Sequence, residues 1–145
     1  MQYDPNNHIV KLCAKGMDME AKGEPEEAAN LFLKAWNEAA NDQEKFTAAH
    51  YVARHQKNTL DKLKWDETAL QFALKLDDES IRSSLPSLYL NIAKCHEDLG
   101  GAVNAKKNYE SAMLHAEQLP DDGYGKMIRT GIINGIGRVM KLFPT

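Results

Sequence analysis

The densest group of chemically capable side chains lies between Ala48 and Gln56, where His50, Tyr51, Arg54 and His55 stand within the stretch AAHYVARHQ. On a helix, His50 and Arg54 are one turn apart and share a face, while Tyr51 and His55 share the neighbouring face. Imidazoles, a phenol and a guanidinium so placed can grip an anion through hydrogen bonds and stacking. They can equally make hydrogen bonds between helices. Catalysis asks for more than these residues provide. No nucleophile or acidic orienter stands at a diagnostic spacing from them, so no catalytic residue and no enzyme activity is expected.

Sharper motifs fail on context. Thr130 to Gly137, TGIINGIG, matches the TGxxxGxG cofactor signature of short-chain dehydrogenases. That glycine turn needs a strand before it and a long βαβ continuation after it, and the upstream segment here is charged and interrupted. A glycine-rich helix that packs closely is the expectation, with no cofactor. Cys95-His96-Glu97 offers metal-ligand types, but adjacent helical residues diverge around the axis. His50 and His55 are five apart rather than the four that align two imidazoles, and no CxxC occurs, so no metal is expected. Cys13 and Cys95 read as buried thiols of a reducing compartment. Trp36 and Trp65 read as packing residues between helices rather than stacking platforms.

These side chains must be held by helices. Apolar residues recur three and four apart along nearly the whole chain, without a convincing alternating strand. Pro5-Asn6-Asn7 opens a first helix that Gly23 ends; Pro25 starts a second, from Glu26 to about Ala40. Asn41 with Glu44 starts a third through Arg54, ending between Asn58 and Leu63. A fourth is expected from about Trp65 to Leu76. A fifth starts near Ser84 and Pro86, or one turn earlier, and reaches Leu99. A sixth follows Gly100-Gly101 to about Leu119. The last carries Ile128, Ile132, Ile133, Ile136, Val139, Met140 and Phe143.

An internal ruler organises the helices. Gly16, Gly23, Ala28, Phe32 and Ala35 have the same internal spacings as Ala93, Gly100, Ala105, Tyr109 and Ala112. At these residues the chain resembles the tetratricopeptide repeat family over roughly Ile9 to Leu119. The resemblance implies an all-α, right-handed superhelix of about three helical hairpins with a C-terminal capping helix, in a single domain. Repeat one covers about 7–40, an irregular repeat two about 42–77, repeat three about 80–119 and the capping helix about 122–143. The middle pair departs from the pattern: Ala53, Ala69 and Ala73 are its packing residues, and it has no glycine turn. The outer copies are too far apart for standard units, and a longer helix or altered turn near Thr59 to Trp65 would absorb the excess.

By the same resemblance, the first helices of successive repeats line a concave groove for a peptide or protein segment. This places Cys13, Met17, Glu20, His50, Tyr51, Arg54, Lys57, Leu90, Asn91, Lys94 and Glu97 along it. Peptide binding is expected at His50, Tyr51, Arg54, Lys57, Asn91 and Lys94, with Arg54, Lys57 and Lys94 favouring an acidic or carboxylate-bearing segment. The Lys/Asn carboxylate clamp of some family members is not reproduced, because the matching positions Cys13, Met17, Tyr51, Ser87 and Asn91 keep one asparagine. The implied role is a scaffold or adaptor. Two alternatives remain: a small polar metabolite at the His50/Tyr51/Arg54/His55 cluster, or self-association, as a homodimer, through Ile132, Ile136 and Val139.

Composition agrees with a binding module. The 145 residues are 43% hydrophobic, enough for a core without staples, and the net charge of −3 argues against nucleic acid as the partner. No run approaches the roughly 20 apolar residues of a membrane span. The first residues lack a basic or apolar leader and Pro144-Thr145 lacks a lipidation signal, so a cytoplasmic location is expected.

Overall fold

A computed structural model describes residues 4–143. The leader and lipidation expectations rest partly on residues 1–3 and 144–145, which lie outside the described residues. Among those described, every regular element is helical: α1 (His8–Ala21), α2 (Pro25–Glu38), α3 (Asp42–Ala53), α4 (Thr59–Lys75), the single turn α5 (Glu79–Arg82), α6 (Leu85–Asp98), α7 (Ala102–Leu114), a 3-10 turn (Ala116–Gln118) and α8 (Gly123–Met140). None of the described helices is long and apolar enough to cross a membrane. The chain divides between Leu76 and Asp77 into two compact units.

Short polar residues start the helices by accepting from backbone N–H groups that have no partner inside the helix. Asn7 accepts from Ile9 and Val10, Asn41 from Glu44, Asn58 from Asp61, and Asp122 from Gly125. Pro25 occupies the first turn of α2, where a missing N–H costs nothing. Gly23 and Gly100 end α1 and α6 with φ of 76° and 81°, in the left-handed region that favours glycine. Around them the two turns make the same pair of bonds. The Gly23 and Glu24 N–H groups donate to Glu20 and Met19, and those of Gly100 and Gly101 donate to Glu97 and His96.

Several boundaries differ from the sequence expectations; the last helix, expected to carry Phe143, stops at Met140, and the expected break after Leu76 holds the single turn α5. α3 ends at Ala53, so Arg54 is its cap and His55 and Lys57 lie in the connection rather than on a helix face. The Asn58 cap then starts α4 at Thr59, well before Trp65, and this long helix takes up the extra length of the middle pair. α7 stops at Leu114, and the 3-10 turn replaces its last expected stretch.

In the first unit α1 packs on α2, α3 on α4, and α3 also on both helices of the first hairpin. Its core joins Ile9, Leu12, Cys13, Ala28, Phe32, Ala35, Ala48 and Val52. A Cβ on Gly16 would stand 2.4 Å from the Phe32 ring, so α1 and α2 meet at a distance only glycine allows. Trp36 of α2 and Trp65 of α4 pack edge to face at 5.0 Å.

In the second unit α6 packs on α7, and α8 packs on both. Ala93, Ala105 and Tyr109 share a core with Val139 of α8. Here the tight approach is on the other side of the aromatic ring: a Cβ on Gly135 would stand 2.2 Å from Tyr109. The TGIINGIG segment lies inside α8, where Gly131 meets Leu90 and Gly135 meets Tyr109. Gly131 and Gly135 thus serve helix packing, while Gly137 faces open space. Ile132 and Val139 are fully buried within their own unit, so they are not available as a self-association face. The exposed apolar residues of α8 are Tyr124, Met127, Ile133 and Met140.

Candidate functional site

In the first unit α1 and α3 lie side by side and are tied at both ends. Near their starts, Asn7 Nδ2 donates to Glu44 Oε2 at 2.9 Å. Near their ends, Glu20 receives Arg54 Nη2 at 3.1 Å and meets His55 Nε2 at 2.7 Å. Start is joined to start and end to end, so the two helices run parallel. At 1.5 Å per residue, the groove between the ties is roughly 20 Å long.

The middle of this groove holds a pocket of about 210 Å³, lined by Val10, Cys13, Ala14 and Met17 of α1 and by Thr47 and Tyr51 of α3. Its lining is apolar because helical periodicity brings Val10, Cys13, Ala14 and Met17 to one side of α1. Thr47 is buried and donates its hydroxyl to the Gln43 carbonyl at 2.9 Å, which leaves its methyl for packing. Burial pushes the Cys13 thiol up to about 12, so it stays protonated and acts as a small apolar group rather than a nucleophile.

A second pocket, of about 130 Å³, adjoins the first and shares Val10 and Thr47 with it. It is polar, lined by Asp4, Asn7, Asn41, Gln43 and Glu44. Hydrogen bonds from Asn7 and from the Ala40 N–H, at 2.9 Å, hold the Glu44 carboxyl below its usual range, so it is an anion at neutral pH.

The sequence-selected cluster is distributed around this groove. His50 is half-buried against Phe46 and Tyr51, with ring centroids 6.2 and 5.5 Å away. Burial first, then Arg54 and Lys62, lowers its pKa and keeps the imidazole neutral. Tyr51 stacks on Phe32 at 5.0 Å and forms one wall of the apolar pocket. Arg54 lies 5.4 Å over the Tyr51 ring while bonded to Glu20. His55 lines a separate cavity of about 290 Å³ with Asn30, Leu33, Gln56 and Trp65. The four side chains therefore do not surround one closed pocket. Lys57 is exposed in the connection after α3.

Asn91 and Lys94 sit on α6, in the other unit. Asn91 is half-buried, and Lys94 is exposed and pairs with Asp98 at 2.9 Å. Glu97, on the same helix, receives Arg138 of α8 at 2.8 and 3.1 Å and the Tyr109 hydroxyl at 2.5 Å. The polar pocket and the Asn7–Glu44 tie escaped sequence reasoning. Their only signal was two asparagines, Asn7 and Asn41, each placed to cap a helix.

Comparison with known proteins gives no match for this chain among family models, curated proteins or solved structures.

Proposed function

We propose that the chain is a peptide-binding module, a scaffold or adaptor built from helical hairpins of tetratricopeptide type, and not an enzyme. An extended segment lies along the α1–α3 groove and places one apolar side chain in the pocket between Val10, Met17 and Tyr51. The supporting observation is that pocket: an apolar depression of about 210 Å³ on a face whose two helices are held apart and in register by polar ties at both ends. A prebuilt site lowers the ordering cost of binding, which is what a module of this kind needs. Shape carries this reading more than charge. Arg54 and Lys94, expected to select an acidic segment, each already have a carboxylate partner. Both cysteines are buried thiols, which fits a reducing compartment, and we assign the module to the cytoplasm.

Ala14 is exposed at the rim of the pocket, so Ala14→Trp fills it without touching the core. Screening a synthetic peptide array with the wild-type chain and with this variant tests the reading. Peptides that bind the wild type and lose at least about tenfold in affinity with Ala14→Trp support it. Binding indifferent to the substitution removes the groove from consideration.

A further inference from the structure

We infer that the α1–α3 groove reads a two-part peptide motif, an apolar side chain and a basic one two residues apart. The inference rests on the groove being the binding face and adds the chemistry of its occupant. The two adjoining pockets differ sharply in lining. One is walled by Cys13, Ala14, Met17 and Tyr51; the other carries the carboxylates of Asp4 and Glu44 with the amides of Asn7 and Gln43. Among the described residues, neither pocket has a lysine or arginine in its lining. A cation entering the polar pocket meets the carboxylates of Glu44 and Asp4, whereas a carboxylate meets repulsion. The groove therefore selects a basic neighbour rather than the acidic one suggested by Arg54 and Lys94 in the sequence.

The spacing follows from the helices. Moving from the polar to the apolar pocket, the lining advances from the Asn7 cap, Ile9 and Val10 to Val10, Cys13, Ala14 and Met17, about five positions, which at 1.5 Å per residue is about 7 Å. In an extended peptide, side chains on one face are two residues apart, or about 7 Å. A Lys-x-Leu or Leu-x-Lys segment matches that distance, and adjacent residues, which point to opposite faces, do not.

Fluorescence anisotropy with labelled alanine-based nonapeptides tests this. Each carries a central Leu, and the residues two positions before and after it are Lys, Ala or Glu. With the wild-type chain, at least one Lys peptide should bind at least about fivefold tighter than its Glu counterpart, and added salt should narrow the gap. Gln43 is exposed, so Gln43→Lys places a cation at the polar pocket without disturbing the core. It should abolish the Lys preference; Ala14→Trp should weaken all three. Equal affinities for Lys, Ala and Glu peptides, all still sensitive to Ala14→Trp, would overturn the basic motif and leave the groove standing. Absence of any binding sensitive to Ala14→Trp would overturn both.

Discussion

The helix trio α1–α2–α3 and the trio α6–α7–α8 apply one packing rule and close it with different chemistry. In each, an aromatic residue of the second helix is fully buried between its neighbours, Phe32 in one and Tyr109 in the other. In each, a glutamate four residues after the small packing residue reaches basic side chains on or just beyond the third helix: Glu20 takes Arg54 and His55 at the end of α3, and Glu97 takes Arg138 of α8. The difference lies in the ring. Phe32 is closed by stacking on Tyr51, whereas the Tyr109 hydroxyl donates to Glu97 and joins the ion pair. The glycine pressed against the ring changes sides accordingly, from Gly16 on the first helix to Gly135 on the third. The repeat thus sets which residues are small and which are aromatic, while the polar closure is free to diverge. Only the first trio leaves an apolar pocket walled by Tyr51, and only the second gains a phenol–carboxylate–guanidinium lock.

The largest test of this comparison removes the rings. Phe32→Ala and Tyr109→Ala should each cost about 3–5 kcal/mol in denaturant unfolding. Trp36 and Trp65 both belong to the first unit, so their fluorescence should report Phe32→Ala most directly. A tryptophan transition shifted equally by Tyr109→Ala would erase the distinction between the units. Next come the glycines. Gly16→Ala drives a methyl into Phe32 and should cost about 1–3 kcal/mol by overpacking. Its counterpart Ala93→Gly should cost only about 1 kcal/mol, mainly through helix propensity. Comparable losses would mean that the two aromatic rings sit alike after all.

Smaller effects sharpen the polar contrast. Arg138, then Tyr109, holds the Glu97 carboxyl down at about 2, below its ordinary 4.5. A depressed carboxyl contributes stability above its unfolded value and loses it as pH falls from about 4.5 towards 2. Glu97→Gln should cost about 1–2 kcal/mol at pH 7, modest because Arg138 is half exposed, and should flatten that acid limb. Burial, then the bond to Glu97, pushes the Tyr109 hydroxyl up to about 12. Its neutral form is the one stabilised, so stability present below pH 10 is lost as pH rises towards 12. Tyr109→Phe should cost about 1 kcal/mol at pH 7 and remove that alkaline loss, as measured by circular dichroism.

Much of the helical pattern was legible because it depends on local chemistry. Asparagine and aspartate caps, the glycines at 23 and 100 and the apolar spacing act within a few residues. The twin ruler likewise marked Phe32 and Tyr109 as the buried aromatics. Legibility failed where distant residues decide. That Arg54 would be spent on Glu20, or that Asn7 would tie to Glu44 across 37 positions, follows from how the hairpins pack and not from any spacing. The end of α3 was misread because the helical pattern continues through Arg54 and His55, and only the Asn58 cap shows that a new helix has begun. The stripe of Ile132, Ile136 and Val139 offers self-association as an alternative in the sequence, yet Ile132 and Val139 turn inward, because periodicity defines an apolar stripe without saying which way it turns.

Methyl NMR of the methionines tests the groove most directly, using the tightest-binding lysine- and leucine-containing nonapeptide as titrant. Met17 forms part of the apolar pocket, while Met127 and Met140 are exposed on α8 in the other unit. The Met17 methyl signal should shift in proportion to peptide bound, with those of Met127 and Met140 unmoved. Shifts at Met127 and Met140 with Met17 unchanged would contradict the assignment and move the binding face to the C-terminal helix.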